Sequence, residues 1–126
     1  MSDTAAVETI EGRVVLLLDG TGPRLGGRDL LDAVADAGAT VVACPVDRLD
    51  PAFFDLRTGV AGELMQALVN YRVVLAVVGP LPDSALASGA FMALVREANR
   101  GAQHWFVRDL AELRAHLARA GRRAGS

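Results

Sequence analysis

The run Val73-Val74-Leu75-Ala76-Val77-Val78 constrains the fold more than any other stretch. An unbroken apolar run of this length, rich in β-branched residues, reads as a strand apolar on both faces. Such a strand has to be covered on both sides, as in the interior of a parallel sheet. It falls far short of the ~18 apolar residues of a membrane-spanning helix, and Gly79-Pro80-Leu81-Pro82 stops it. Two similar runs lie upstream, Val14 to Leu18 and Thr40 to Cys44, the second ended by Pro45.

Between these runs the hydrophobic period changes. Leu30, Leu31, Val34 and Ala37 recur at helical spacing, with Asp29 in the first turn and Gly38 as the stop. Val60, Leu64, Leu68 and Tyr71 repeat as an amphipathic helix. A further helix runs from Ser84 or Ser88 to Asn99, with Gly101 as its C′ residue. Gln103 to Val107 is a last strand. Asp109 and Glu112 then open a helix with the stripe Leu110, Leu113 and Leu117. Val7 to Ile10 alternates before the turn signal Glu11-Gly12, so it forms a hairpin or edge strand with the next run. The expected order is ββαβαβαβα: an α/β fold with a largely parallel four- to five-stranded sheet and helices on its faces.

In such a sheet, ligands sit beyond the carboxyl ends of the strands. The loops 19–27, 46–58, 79–82 and 108–109 share that edge. The loops 38–39, 70–72 and 99–102 share the opposite one.

The 126 residues fit one domain, with an ordered core over about 7–117 and a frayed tail at 118–126. The composition, 52% hydrophobic and 22% charged, is globular. All 13 basic residues are arginines, which excludes Schiff-base chemistry and a P-loop lysine. The net charge of −2 argues against a nucleic-acid partner held by bulk charge. One cysteine and two histidines exclude an internal disulfide and leave no metal site to expect. No cofactor motif is found. The sequence shows no basic leader and no membrane span, so a cytoplasmic protein without membrane partners is expected. Arginine without lysine, among many Ala, Gly and Val, also suggests a GC-rich bacterial genome.

The glycine-rich loop Gly20-Thr21-Gly22-Pro23-Arg24-Leu25-Gly26-Gly27 follows a strand and precedes a helix, but it is no dinucleotide fingerprint. Leu25 stands where the third glycine is needed, and Pro23 lacks a donor. It reads as a flexible connection. The segment from Asp50 to Glu63 carries more. Asp55 or Thr58 can cap the following helix, whose first turn has free N–H groups beside Arg57, with Gly59 and Gly62 allowing close approach. A helix start beside an arginine favours an anion. Phe53 and Phe54 cannot both face inward if the segment is extended and would then form an apolar wall, whereas a turn could bury both; Glu63 is the member of the polar stripe Glu63, Gln66 and Asn70 nearest that edge. The competing reading is an elaborate helix cap, with Arg57 paired to Asp55.

At the opposite edge, Arg72 and Glu97 are expected to form a structural ion pair. His104 and Trp105 alternate on the last strand without a catalytic or metal partner. Cys44 reads as a small core hydrophobe, and Arg119, Arg122 and Arg123 as a solvated tail.

The segments Phe53 to Glu63, Asn70-Tyr71-Arg72, Leu75 to Gly79, Glu97 to Gly101 and Trp105-Phe106-Val107 together resemble a bacterial family of domains of unknown function, number 4180. The resemblance spans roughly Val7 to Leu117. It implies a small, single-domain cytoplasmic protein with an α/β fold like that of the anti-sigma-factor-antagonist (STAS) type. Members of that family tend to continue the central strand with Gly-Asp-Phe, whereas here Gly79 is followed by Pro80-Leu81-Pro82, and the first loop is unusually rich in glycine; both departures lie on the carboxyl edge. The antagonist domains carry a phosphorylatable Ser or Thr before Gly at a helix start, and Thr58-Gly59 sits at a comparable place.

Two functions follow. One is a regulatory or accessory module that binds a small anionic ligand or a protein partner through Phe53, Phe54, Asp55, Arg57, Thr58, Gly59 and Glu63. The other is a small cofactor-independent hydrolase or isomerase, for instance in a biosynthetic pathway. Asp55 or Glu63 would be its acid/base, and Arg57 with the helix N–H groups would stabilise charge. An exposed Phe53-Phe54 pair and an edge strand at Val7 to Ile10 are compatible with a homodimer.

Overall fold

Each period switch in the sequence becomes an element of structure. The computed structural model describes residues 5–125. The alternation of strand and helix is realised as β1 (Ala6–Ile10), β2 (Arg13–Leu17), α1 (Gly27–Ala37), β3 (Val41–Pro45), α2 (Val60–Asn70), β4 (Val74–Val78), α3 (Asp83–Leu86), α4 (Gly89–Arg100), β5 (His104–Val107) and α5 (Leu110–Gly125). Three short 3-10 turns, Val46–Arg48, Pro51–Phe54 and Leu56–Thr58, fill the connection from β3 to α2.

The sheet runs β1-β2-β3-β4-β5 in chain order. β1 is antiparallel to β2, and the other pairs are parallel. Right-handed crossovers that always step in one direction put every crossover helix on one face. The core divides accordingly. Leu16, Val42, Leu75, Val77 and Phe106 pack under α1, α2 and α4. The alternate residues Val15, Val41, Ala43, Val74, Ala76, Trp105 and Val107 pack under Leu113 and Leu117 of α5. β4 is thus covered on both faces, as its apolar run requires.

Local details differ from expectation in four places. The helix after β4 starts at Ser88, one of its two expected starts, with Ser88 Oγ accepting the Phe91 N–H at 3.1 Å as the N-cap, but a separate short helix, α3, precedes it. Gly101 stops α4 in an extended conformation (φ −93°, ψ −165°), without the left-handed turn expected of a C′ glycine. Gly38 does adopt that turn at the end of α1, with φ 65°. Over the expected tail from residue 118, α5 continues to Gly125, and Ala120 packs against the α5-side core. Lastly, Arg72 and Glu97 do not pair among the described residues. Glu97 lies 3.4 Å from Arg100, one turn along its own helix. Residues 1–4, Ser126 and the side chains of Arg122 and Arg123 lie outside the description, so the readings of the leader and of the arginine tail's end are not addressed by it.

No helix of the described residues is long and apolar enough to cross a membrane.

Candidate functional site

Asp50 begins the connection that shapes the carboxyl edge. Its carboxylate accepts the Ala52 N–H at 2.8 Å, and Pro51 takes the first helical position, so the chain winds into a 3-10 turn. That turn points both phenylalanines inward, which an extended segment could not do. Phe53 and Phe54 are buried and contact each other edge-on at 5.1 Å between ring centroids. Phe54 meets Phe91 and Phe53 meets Phe106, so all four phenylalanines of the chain join in one cluster. The expected exposed aromatic wall is therefore corrected: both rings are core, Phe53 at 0% and Phe54 at 5% exposure.

The next turn satisfies itself. Asp55 accepts the Arg57 N–H, and its two oxygens take the Arg57 guanidinium at 3.0 and 2.9 Å. These hydrogen bonds hold the Asp55 carboxyl below its usual range and raise the Arg57 guanidinium. The Arg57 side chain is 90% exposed, so the pair is a solvated one. Thr58 Oγ1 lies 2.7 Å from the Ala52 carbonyl and 2.8 Å from that of Asp55, and it accepts the Val60 N–H at 3.2 Å. Gly59, at φ 79°, makes the left-handed step into α2. Asp55, Arg57, Thr58 and Gly59 thus form the elaborate cap.

The open space lies beside this cap. A cleft of about 330 Å³ is lined by Arg24, Leu25, Gly26 and Gly27, by Asp50 and Phe53, and by Val60, Glu63 and Leu64. Of the residues anticipated from sequence, Phe53 and Glu63 reach it. The starts of α1 and α2 converge here. Both N-cap positions are glycine, so neither N-cap side chain covers the helix N–H groups. The two helices approach closely: a Cβ on Gly27 would lie 3.6 Å from the Leu64 Cα.

What holds the other wall is Arg48, which sequence reasoning passed over as a loop residue. It is only 8% exposed. Its Nε donates to the Pro23 carbonyl at 2.8 Å, and its Nη1 to the carbonyls of Asp19 and Thr21 at 2.9 and 3.1 Å. Gly22, at φ +131°, lets the loop pass over the guanidinium; a Cβ there would sit 2.9 Å from Cζ. Leu25 N–H donates to the Arg48 carbonyl at 2.7 Å, and Arg24 Nη1 to the Leu49 carbonyl at 2.7 Å. The glycine-rich loop is therefore tied down across its length, where the sequence suggested a flexible connection.

Other expected residues lie elsewhere. Cys44 is buried, and burial pushes its thiol up to about 12 despite the opposing charge of Arg48. His104 is half-buried, with Nδ1 lacking a hydrogen-bond partner, and burial lowers its pKa. His116 packs against Trp105 at 5.1 Å and is lowered by burial and by Arg119, with Glu112 opposing. Asn99, not singled out, spans β5's outer edge: its side chain donates to the Phe106 carbonyl and accepts the Phe106 N–H, at 3.1 and 2.8 Å.

Over residues 21–117 the chain matches the family described as "Domain of unknown function (DUF4180)". The chain belongs to the DUF4180 family. Neither a curated protein nor a solved structure matches it. The DUF4180 match takes in every residue of the cleft, Arg48 and Asn99, and it leaves out β1, β2 and Asp19, one of the three carbonyl partners of Arg48.

Proposed function

We propose that this DUF4180 domain is a cytoplasmic regulatory or accessory module that binds a small ligand in the cleft between the starts of α1 and α2. The supporting observation is that cleft itself: a concavity at the sheet's carboxyl edge, walled by a clamped loop and floored by two glycine-started helices. Its size lies at the small end of ligand sites. Its charge is mixed. Arg24 and the helix N–H groups favour an anionic group, whereas Asp50 and Glu63 favour a cation or donor. A ligand with both, such as a free amino acid, suits the lining better than a simple anion.

A protein partner docked on Phe53-Phe54 loses its support, because that pair is buried. The enzyme reading is weakened by Asp55, whose lowered pKa and Arg57 bonds make it a poor base.

The test is thermal-shift screening with free amino acids and with short dicarboxylates as the anion-only comparison. Ligand at about 100 times Kd stabilises by about 2.7 kcal/mol, a rise of several degrees. Gly26→Leu should abolish the rise by filling the cleft without strain, since Gly26 is extended and a Cβ there meets nothing closer than Asp29 Oδ2 at 3.8 Å. An equal rise in Gly26→Leu, or no rise in the parent, sinks the reading.

A further inference from the structure

We infer that the outer edge of β1 is a self-association surface, on which a second copy of this chain adds its own β1 antiparallel across a two-fold axis. The inference is independent of the cleft.

The two edges of the sheet are treated differently. At β5, Asn99 occupies both backbone groups of Phe106 and so takes the place of a neighbouring strand. At β1, no described strand pairs on the outer side. The hairpin register determines which groups are offered there. Ile10 pairs with Arg13 across a two-residue turn, with φ of 52° at Glu11 and 79° at Gly12. Such a turn is closed by a hydrogen-bonded pair, after which pairs alternate. Ile10, Glu8 and Ala6 therefore bond towards β2, while Thr9 and Val7 turn their N–H and C=O outward. The parity agrees with β2, where the Val14 carbonyl and Leu18 N–H bond to the β3 side.

Charge selects the register. Centring the two-fold on Glu8 would set two carboxylates directly opposite each other, which is destabilising. Centring it on Val7 sets Glu8 opposite Ala6 of the other copy and stacks the two Val7 side chains, each 51% exposed in the single chain. Glu8 already carries a counter-ion, Arg114 of α5 at 3.2 Å. The two-fold stands perpendicular to the joined sheet, so both α5 helices flank the seam on one face and each Arg114 faces the seam. The interface is isologous, and the Asn99 bonds to Phe106 at each β5 edge oppose growth beyond two copies. A seam one short strand long buries little area, so association should be weak and concentration-dependent.

Sedimentation velocity on the full chain, from micromolar to sub-millimolar concentration, tests this. The expected result is a shift from 13.2 kDa towards twice that mass. Val7→Pro removes one outward N–H and no bond to β2, so it should keep the parent's circular dichroism and remain monomeric throughout. If Val7→Pro loses its fold, Val7→Lys supplies the same comparison. Val7→Cys, oxidised at high concentration, should form an interchain disulfide, because opposed residues of a hydrogen-bonded pair lie about 5.5 Å apart at Cα. A parent that stays monomeric at the highest concentration, a folded Val7→Pro or Val7→Lys that still dimerises, or a Val7→Cys that does not cross-link overturns the inference.

Discussion

Replacing Arg48 by methionine should cost this domain far more than a loop substitution normally does. Methionine is similarly long, unbranched and flexible but donates nothing. Three hydrogen bonds from a charged group are lost, to carbonyls at Asp19, Thr21 and Pro23 that lie 25 to 29 residues away in sequence. Bonds of this kind contribute about 1.5–3 kcal/mol each when deleted singly, and they are not additive. The loop is a surface one, so water can reach two or more of the freed carbonyls. A net loss of about 2–4 kcal/mol is expected, or roughly 8–15 °C in Tm for a domain of this size. Lysine should recover less than half, because one ammonium cannot span three carbonyls. The assay is thermal denaturation together with amide exchange. Protection should fall in residues 19–26 while the sheet amides keep theirs. Gly22→Ala supplies an internal check. Its added Cβ would lie 2.9 Å from the Arg48 Cζ, so part of its cost should vanish when position 48 is methionine. An Arg48→Met protein that melts within a degree or two of the parent, or strict additivity with Gly22→Ala, refutes the clamp.

Three further outcomes are expected. Asn99→Ala should cost about 1–3 kcal/mol through two lost bonds and should raise aggregation by uncovering the β5 edge, read by denaturant melts and light scattering. Stability should decline on acidification. His104 and His116 have folded pKa values below 6.5, so the unfolded chain takes up protons first; their contribution is complete above about pH 6.5 and is lost as pH falls towards the folded values. Asp55, lowered by Arg57, adds a further loss only below its usual 3.8. Melting curves from about pH 8 down to pH 3 should show both, with the upper loss removed in His104→Gln/His116→Gln. The Cys44 thiol, buried and pushed up to about 12, should resist thiol reagents in the native protein and react on unfolding; rapid labelling under native conditions would contradict its placement.

The apolar runs of β2, β3 and β4 and the helical stripes of α1 and α2 could be read from sequence because each pattern is local. The start of α4 at Ser88 was one of two that the sequence offered; the separate short α3 before it was not legible, because Ala85 and Phe91 are both apolar and no pattern marks the break between them. In the site, the Asp50-Pro51 pair was a legible turn signal, and it explains why the phenylalanines turn inward. Arg48 carried no such signal. Its burial depends on carbonyls from a loop distant in sequence, and no periodicity records that. Asn99 was in view, as part of the segment Glu97 to Gly101. Its role is fixed by the backbone of Phe106, which the segment alone does not contain. Arg57, beside a helix start, admitted both an anion site and a pairing with Asp55, and the structure shows the pairing. Asp55, two residues away, was the nearer anion.

The central claim is that ligand recognition belongs to the cleft between α1 and α2 rather than to the cap at Asp55–Thr58. Amide chemical-shift mapping during titration with free amino acids tests it most directly. Shifts should concentrate at Gly26, Gly27, Val60 and Glu63, with Arg57 and Thr58 little moved. Shifts centred on Arg57 and Thr58, or none that saturate anywhere on the domain, would contradict it.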